Sequence, residues 1–294
     1  EQAKVGKDFS LPLKTDSFQY WSKELSTYAT SSVIAKERSY WEGIAESGVN
    51  VHFPLDHTDG VNLVSTTQSL GFSLDESLTD SLLTKVGGVY KTTVDDVLLT
   101  SLGLALKDRF GLDKVLVSLE GHGREEIGSP VDVSRTVGWF TSIYPALLDV
   151  SADNRLSSLV AVKESLHRIP NKGLGYGLLR YLHPDNHSAL LIEPEIVYNN
   201  LGDFGSGVSS GSEDDVFIYS SEAHGSDQSP QRERGEVLTV TVMVVKGELS
   251  ISFAYSKEQF DLSTMEKLLS SYREILESLI SFKVALRFLF SFLI

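Results

Sequence analysis

Cysteine is absent from the 294 residues, which excludes a disulfide framework, a thiolate metal site and a thiol nucleophile. A chain without thiols suits a reducing compartment, and a cytoplasmic setting is the expectation. Cations are scarce: 26 Lys and Arg stand against 40 Asp and Glu, a formal net charge of −14. Phosphate neutralisation needs clustered Lys and Arg, so nucleic acid is not an expected partner. Long apolar runs are missing as well. The opening residues, EQAKVGKDF, carry no apolar core and do not form a signal peptide. Residues 281–294, SFKVALRFLFSFLI, are strongly apolar but interrupted by Lys283 and Arg287. They fall short of the ~20 residues a spanning helix needs. They read as a last helix that packs on this protein or a partner, or as the artificial end of a longer protein, and no membrane partner is expected.

Several catalytic patterns are missing too. There is no GxSxG nucleophile elbow. His183 and His187 are four apart, but Pro184 lies between them and no Glu follows His183, so HExxH zinc chemistry has no support. His57 sits in a Pro/Gly loop and reads as solvated. GLGYG (173–177) is neither a Walker loop nor a Rossmann fingerprint. Asn186 begins a glycosylation sequon, which matters only in a secreted protein.

What is present is ordinary globular composition, 41% hydrophobic and 22% charged, enough for one large domain or two smaller ones. Residues 1–15 read as a linker. Phe18, Trp21, Leu25 and Tyr28 recur at helical spacing, and a second helix over about 34–46 carries Tyr40, Trp41 and Ile44. Residues 66–74 alternate as a strand. A helix is expected over 77–90, with Ser77 and Asp80 spaced to cap it and Gly87–Gly88 to break it. Thr93 caps the next helix, with Asp95 and Asp96 in its first turn and Gly111 as its stop. Residues 154–169 form a helix with Leu156, Leu159, Val160, Val162 and Leu166 inward. A glycine-punctuated turn and short helix (170–182), a short strand near 195–203, and a polar loop over 205–234, mobile in character, follow. Two alternating strands flank Lys246–Gly247 as a hairpin. Ser263 and Glu266 have capping-box spacing and open a helix to about Ile280. Helices interleaved with strands, plus a late antiparallel hairpin, indicate a mixed α/β layered fold without internal repeats.

The stretch over 114–145 carries the chemistry. KVLVSL places Val115, Val117 and Leu119 on one face of a strand entering a core. EGHGRE then puts a carboxylate, an imidazole and a guanidinium close together, separated by glycines that let another backbone approach. VGWFTSIYP follows Arg135. Charged groups where a buried strand ends suit a reactive pocket, and they equally suit a solvated turn between two strands.

Six segments in this order resemble a known family: PLKTDSFQYW (12–21), TTVDDVLLTSL (92–102), LEGHGRE (119–125), RTVGWFTSIYP (135–145), PNKGLGYG (170–177) and EIVYNNLGDF (195–204). The chain resembles the epimerization domains of nonribosomal peptide synthetases, within the condensation-domain superfamily, over nearly all of residues 10–280. The resemblance implies a chloramphenicol acetyltransferase-like α/β fold, here the second of two lobes, with a mixed sheet and the late hairpin. Residues 1–50 would then be an inter-lobe connection with helices, 51–280 the C-terminal lobe, and 281–294 an apolar tail. It implies secondary metabolism of the peptide-antibiotic kind and an isomerase. A peptidyl carrier domain would deliver an aminoacyl or peptidyl thioester on a 4'-phosphopantetheine arm, with no cofactor bound by this chain itself. Adjacent synthetase domains are the further partners. The Cα proton of the L residue would be removed and one returned to the opposite face, which needs a base, an acid and a donor to the enolate oxygen.

Residue by residue, the resemblance makes Glu120 an acid/base group. Strand alternation places it on the side of Leu116 and Ser118. The structural alternative is an ion pair with Arg124 or Arg135. His122 and Arg124 are expected to shape the loop, and Arg135 to hold the loop or orient a carboxylate, the structural part being favoured. Asn199 and Asn200 fall on the family's FNYLG turn, where Asn200 replaces the usual Tyr and cannot supply a phenolic proton. Trp139, Phe140 and Tyr144 are expected as core or pocket wall. The family's HHxxxDG motif, which supplies the second catalytic group from an N-terminal lobe, is missing, and HTDG (57–60) is a chance likeness. The expectation is therefore a lobe with very weak turnover by itself. A non-catalytic remnant that docks carrier or neighbouring domains, and an amide-forming condensation domain, remain the alternatives.

Overall fold

The computed structural model describes residues 6, 10–48, 51–87, 91–184, 190–203, 222 and 225–291, with side chains as far as Ser281. Two helices lead, α1 (Phe18–Ala29) and α2 (Ser32–Gly48). Then come β1 (Thr67–Leu74), α3 (Glu76–Asp80), α4 (Val94–Phe110), β2 (Lys114–Gly121) and β3 (Ser142–Asp149). The chain continues through α5 (Arg155–His167), the short α6 (Leu174–Gly177), β4 (Ile196–Asp203), β5 (Leu238–Val245), β6 (Glu248–Ser256) and α7 (Leu262–Ser291). The strands form one mixed six-stranded sheet in the order β1-β6-β5-β4-β2-β3. β4 pairs parallel with both β2 and β5, and the remaining pairings are antiparallel.

Helices cover both faces. α4, α5 and α7 pack with the main core, and α1, α2 and α6 build a second cluster over the β2–β3 end. The sequence suggests one buried face for β2, yet residues 115–119 are all buried. Val115, Val117 and Leu119 enter the main core while Leu116 enters the second cluster. A strand paired on both edges and covered above and below needs a continuous apolar run rather than alternation.

Local chemistry explains most boundaries. Thr93 and Asp96 form a reciprocal capping box: the Thr93 hydroxyl accepts the Asp96 N–H at 3.2 Å, and Asp96 Oδ2 accepts the Thr93 N–H at 2.7 Å. Gly111, at φ 72°, closes α4 in the left-handed region. Lys246 and Gly247 both take positive φ, the two-residue turn whose twist matches a hairpin.

Four expectations need correction. Asp75, not Ser77, caps α3, its carboxylate accepting the Leu78 N–H at 2.8 Å, and the helix passes into a π turn over Ser81–Lys85; Gly88 lies outside the described residues. α7 starts at Leu262, where the Asp261 carbonyl accepts the N–H groups of Thr264 and Met265, so Ser263 and Glu266 sit inside the first turns and form no capping box. The same helix runs on to Ser291 rather than ending near Ile280. On α5, Val160 is 50% exposed and Ser158 is buried in its stead, because the strip facing the core follows 158, 159 and 162. Most of the polar loop over 205–234 lies outside the described residues, as do the side chains of 282–294. His57 is half exposed and paired with Asp261, Nε2 to Oδ1 3.1 Å. Among the described residues no helix is long and apolar enough to cross a membrane.

The second cluster carries a buried carboxyl. Glu37 is buried and its Oε2 accepts the Trp41 indole N–H at 3.3 Å. Burial holds the carboxyl above its ordinary range. Such a group binds its proton more tightly folded than unfolded. The stability it brings is therefore complete below about pH 4 and lost as pH rises through the raised folded value. Glu37→Gln is expected to raise the thermal midpoint near neutral pH and to leave it little changed at pH 4, as calorimetry across that interval would read. A midpoint difference independent of pH would show that the carboxyl is not titrating in place.

Candidate functional site

Parallel pairing of β2 and β4 aligns Leu119 with Tyr198, so both strands give out at the same edge of the sheet. The first turn of α4 reaches that edge. Between them lies a cavity of about 560 Å³, bordered by Glu120, Tyr144, Tyr198 and Asn200 among others. A larger cavity of about 770 Å³ lies against α1 and the leading half of β3 and takes Ser118 and Trp139 in its wall.

Glu120 is the penultimate residue of β2. Alternation suggests the side of Ser118, but Ser118 borders the larger cavity and Glu120 the smaller one, together with its neighbour Leu119. Glu120 is an exposed residue, and the partial burial of its carboxyl is the one cause that raises it above the ordinary carboxylate range. The ion-pair alternative does not hold. Arg124 donates to the carbonyls of Val133 and Thr136 and lies 3.7 Å over the Phe140 ring. Arg135 donates to the Leu13 carbonyl at 3.1 Å. Both arginines bond backbone carbonyls of or beside the loop.

The glycines of the hexapeptide permit close approach of two backbones. A Cβ on Gly123, whose φ is 67°, would collide with the Phe140 carbonyl oxygen. His122 also shapes the loop: Nδ1 accepts the Arg124 N–H at 3.0 Å, and Nε2 meets Glu125 Oε1 at 3.0 Å. Glu125 is held from the other side by Lys172, at 3.3 Å from Oε2.

The turn matching FNYLG divides by strand alternation. Asn200 reaches the cavity, its amide donating to Asp95 Oδ1 at 2.8 Å while its carbonyl oxygen accepts the Gly202 N–H at 3.0 Å. Asn199, paired with Thr241 and one residue out of phase, lines neither cavity, so its expected part in the site is not seen. Tyr198, on the same side as Asn200, enters instead and donates to Asp95 Oδ1 at 2.8 Å. Burial first, then the Asp95 charge, pushes its phenol well above the usual value. Tyr144 borders both cavities, and burial, then the charges of Asp95 and Glu125, push its phenol up to about 12. Trp139 is 86% exposed and so is wall, not core, whereas Phe140 is buried against Phe18.

Sequence reasoning misses several wall residues. Asp95 and Asp96 read only as dipole-favoured helix anions, yet Asp95 anchors Tyr198 and Asn200, and the buried Asp96 faces His167 Nε2 at 3.4 Å. Lys172 belongs to a turn in which Asn171 and Lys172 both take positive φ, a conformation that costs non-glycine residues energy. No local signal foretells it. Among the described residues, no group of three or more His, Asp and Glu side chains is arranged to hold a metal ion. The arrangement is a wall of mutually paired polar groups around one carboxyl of raised proton affinity, suited to taking a proton from a weak acid.

Known proteins are similar to this chain in sequence and fold. The Condensation domain family matches residues 1–282. Gramicidin S synthase 1 of Brevibacillus brevis is 37% identical over 292 residues, 95% of this chain and 26% of its own length. Surfactin synthase subunit 1 of Bacillus subtilis (strain 168) is 38% identical over 276 residues, 92% of this chain and 8% of its own. The crystal structure of the epimerization domain from the third module of tyrocidine synthetase B superposes with a TM-score of 0.87 at 38% identity, covering 97% of this chain and 63% of that one. The chain thus spans a minor part of these synthetases and about two thirds of the solved domain. Its open mixed sheet, late hairpin and ordered motifs are those of a chloramphenicol acetyltransferase-like lobe, and the chain belongs to the condensation domain family of nonribosomal peptide synthetases.

Proposed function

We propose that these residues form the proton-transfer wall of an amino-acid epimerization domain acting on a carrier-bound thioester. One observation carries the reading. Glu120 stands where β2 ends, on the wall of a cavity, with its carboxyl raised by partial burial and neither arginine of its loop paired to it. The 38% identity to a solved epimerization domain supports the same assignment.

In this scheme a peptidyl carrier domain presents an L-aminoacyl or peptidyl group as a thioester on 4'-phosphopantetheine. The Glu120 carboxylate takes the Cα proton, and the C–H electron pair moves toward the thioester carbonyl to give an enolate. A proton returned to Cα from the opposite face yields the D residue, and the acid for that face comes from outside this chain's described wall. A carboxyl with raised proton affinity is better matched to a carbon acid than an ordinary surface glutamate, because proton transfer improves as the base strengthens.

Two measurements on the full-length synthetase that carries these residues test the scheme, with its carrier loaded by an L-amino acid in heavy water. Glu120→Gln is expected to slow deuterium entry at Cα by about 10²–10⁴-fold, the usual weight of a general base. Unchanged exchange would remove Glu120 from the chemistry. The wild-type exchange rate should rise with pH as Glu120 deprotonates, with its midpoint above the ~4.3 of an ordinary glutamate, and Glu120→Gln should abolish that limb. A limb that survives the substitution belongs to another group.

A further inference from the structure

We propose that the Tyr144 hydroxyl donates the hydrogen bond that holds the substrate's thioester oxygen as it becomes an enolate. This rests on the reaction proposed above and adds a second residue of this chain to it.

Most side-chain donors on the cavity wall already face a carboxylate. Tyr198 spends its single O–H on Asp95 Oδ1, and Asn200 directs an amide N–H to the same oxygen. His122 and Lys172 are drawn to Glu125. His167 faces Asp96. Tyr144 is different. It lies on β3 opposite Leu119, one position from the pairing of Ile143 with Glu120, and borders the same cavity as Glu120. Among the described residues its hydroxyl makes no hydrogen bond, while its charged neighbours, Asp95 and Glu125, both stand on that cavity's wall. The replacement of the family's phenol by Asn200 leaves this ring as the uncommitted phenol at the wall.

The ring is also held rigidly. A Cβ on Gly173 would collide with Tyr144 Cδ1, so the phenol lies flat on that glycine. Gly121 closes the side, a Cβ there standing 3.5 Å from Tyr144 Cε1, and the Trp41 ring centroid is 6.5 Å away. A donor fixed before the charge develops needs no reorganisation when it does. The phenol stays protonated throughout the neutral range, pushed up to about 12 by burial. It therefore donates without losing its proton: Glu120 gains the Cα proton, the carbonyl oxygen gains the electron pair, and Tyr144 only shares its O–H with that oxygen.

The test compares Tyr144→Phe and Glu120→Gln in the full-length synthetase with an L-aminoacyl carrier in heavy water. Phe keeps the ring on Gly173 and removes only the oxygen. Deuterium entry at Cα should fall by about 10²–10³-fold in kcat, the weight of one lost oxyanion donor, with KM and the thermal midpoint unchanged. Full exchange in Tyr144→Phe with none in Glu120→Gln overturns this assignment and leaves the proposed reaction standing; full exchange in both overturns both. If the Phe variant folds poorly, a fluorinated tyrosine at 144 keeps the ring and makes the phenol more acidic. The alkaline loss of exchange should then move to lower pH, and an unmoved alkaline limb overturns the assignment.

Discussion

Parallel pairing between β2 and β4 is the constraint from which the site follows. Only parallel neighbours end at the same edge, and here that edge is where α4 begins. The pairing brings Glu120 of one strand beside Tyr198 and Asn200 of the other, and sets Asp95 across from both. Burial of β2 on both faces makes the pairing rigid: a slip of one residue would exchange Leu116 for Val117 between two different cores. The cavity is thus a product of register, not of loop chemistry alone.

The hexapeptide after β2 is fixed by a separate set of contacts. Arg124 folds back on two carbonyls and an aromatic ring, and Gly123 lets the Phe140 carbonyl come within the space a side chain would need. Arg135 ties the same loop to the segment before α1 through the Leu13 carbonyl. The cations therefore serve the backbone, and the carboxyl of Glu120 is left without a counter-charge from them. Partial burial raises its hold on a proton, and no cation of the loop offsets that.

How much the sequence discloses depends on the range of the cause. Features set within four residues are legible: the Thr93 cap, the Gly111 stop, the Lys246–Gly247 turn and the strand that bears Glu120. Two caps mislead because Ser77 and Ser263 imitate capping positions that Asp75 and the residue before Leu262 occupy in space. Of the residues the motifs single out, Glu120, His122, Tyr144 and Asn200 border the cavity, whereas strand phase puts Tyr198 rather than Asn199 on its wall. Asp95, His167 and Lys172 come from helices and a turn far apart in the chain, and nothing in their local spacing shows that they meet. Pairing across long separations is what sequence periodicity does not record.

The opening turn of α4 has two duties at once. Thr93 and Asp96 close the helix end on themselves, while Asp95, between them, anchors the far strand and faces the cavity. Helix initiation and the contour of the cavity are consequently written in the same few codons. Mutational drift there would alter folding yield and cavity shape together, so neither property can be tuned at that spot without moving the other.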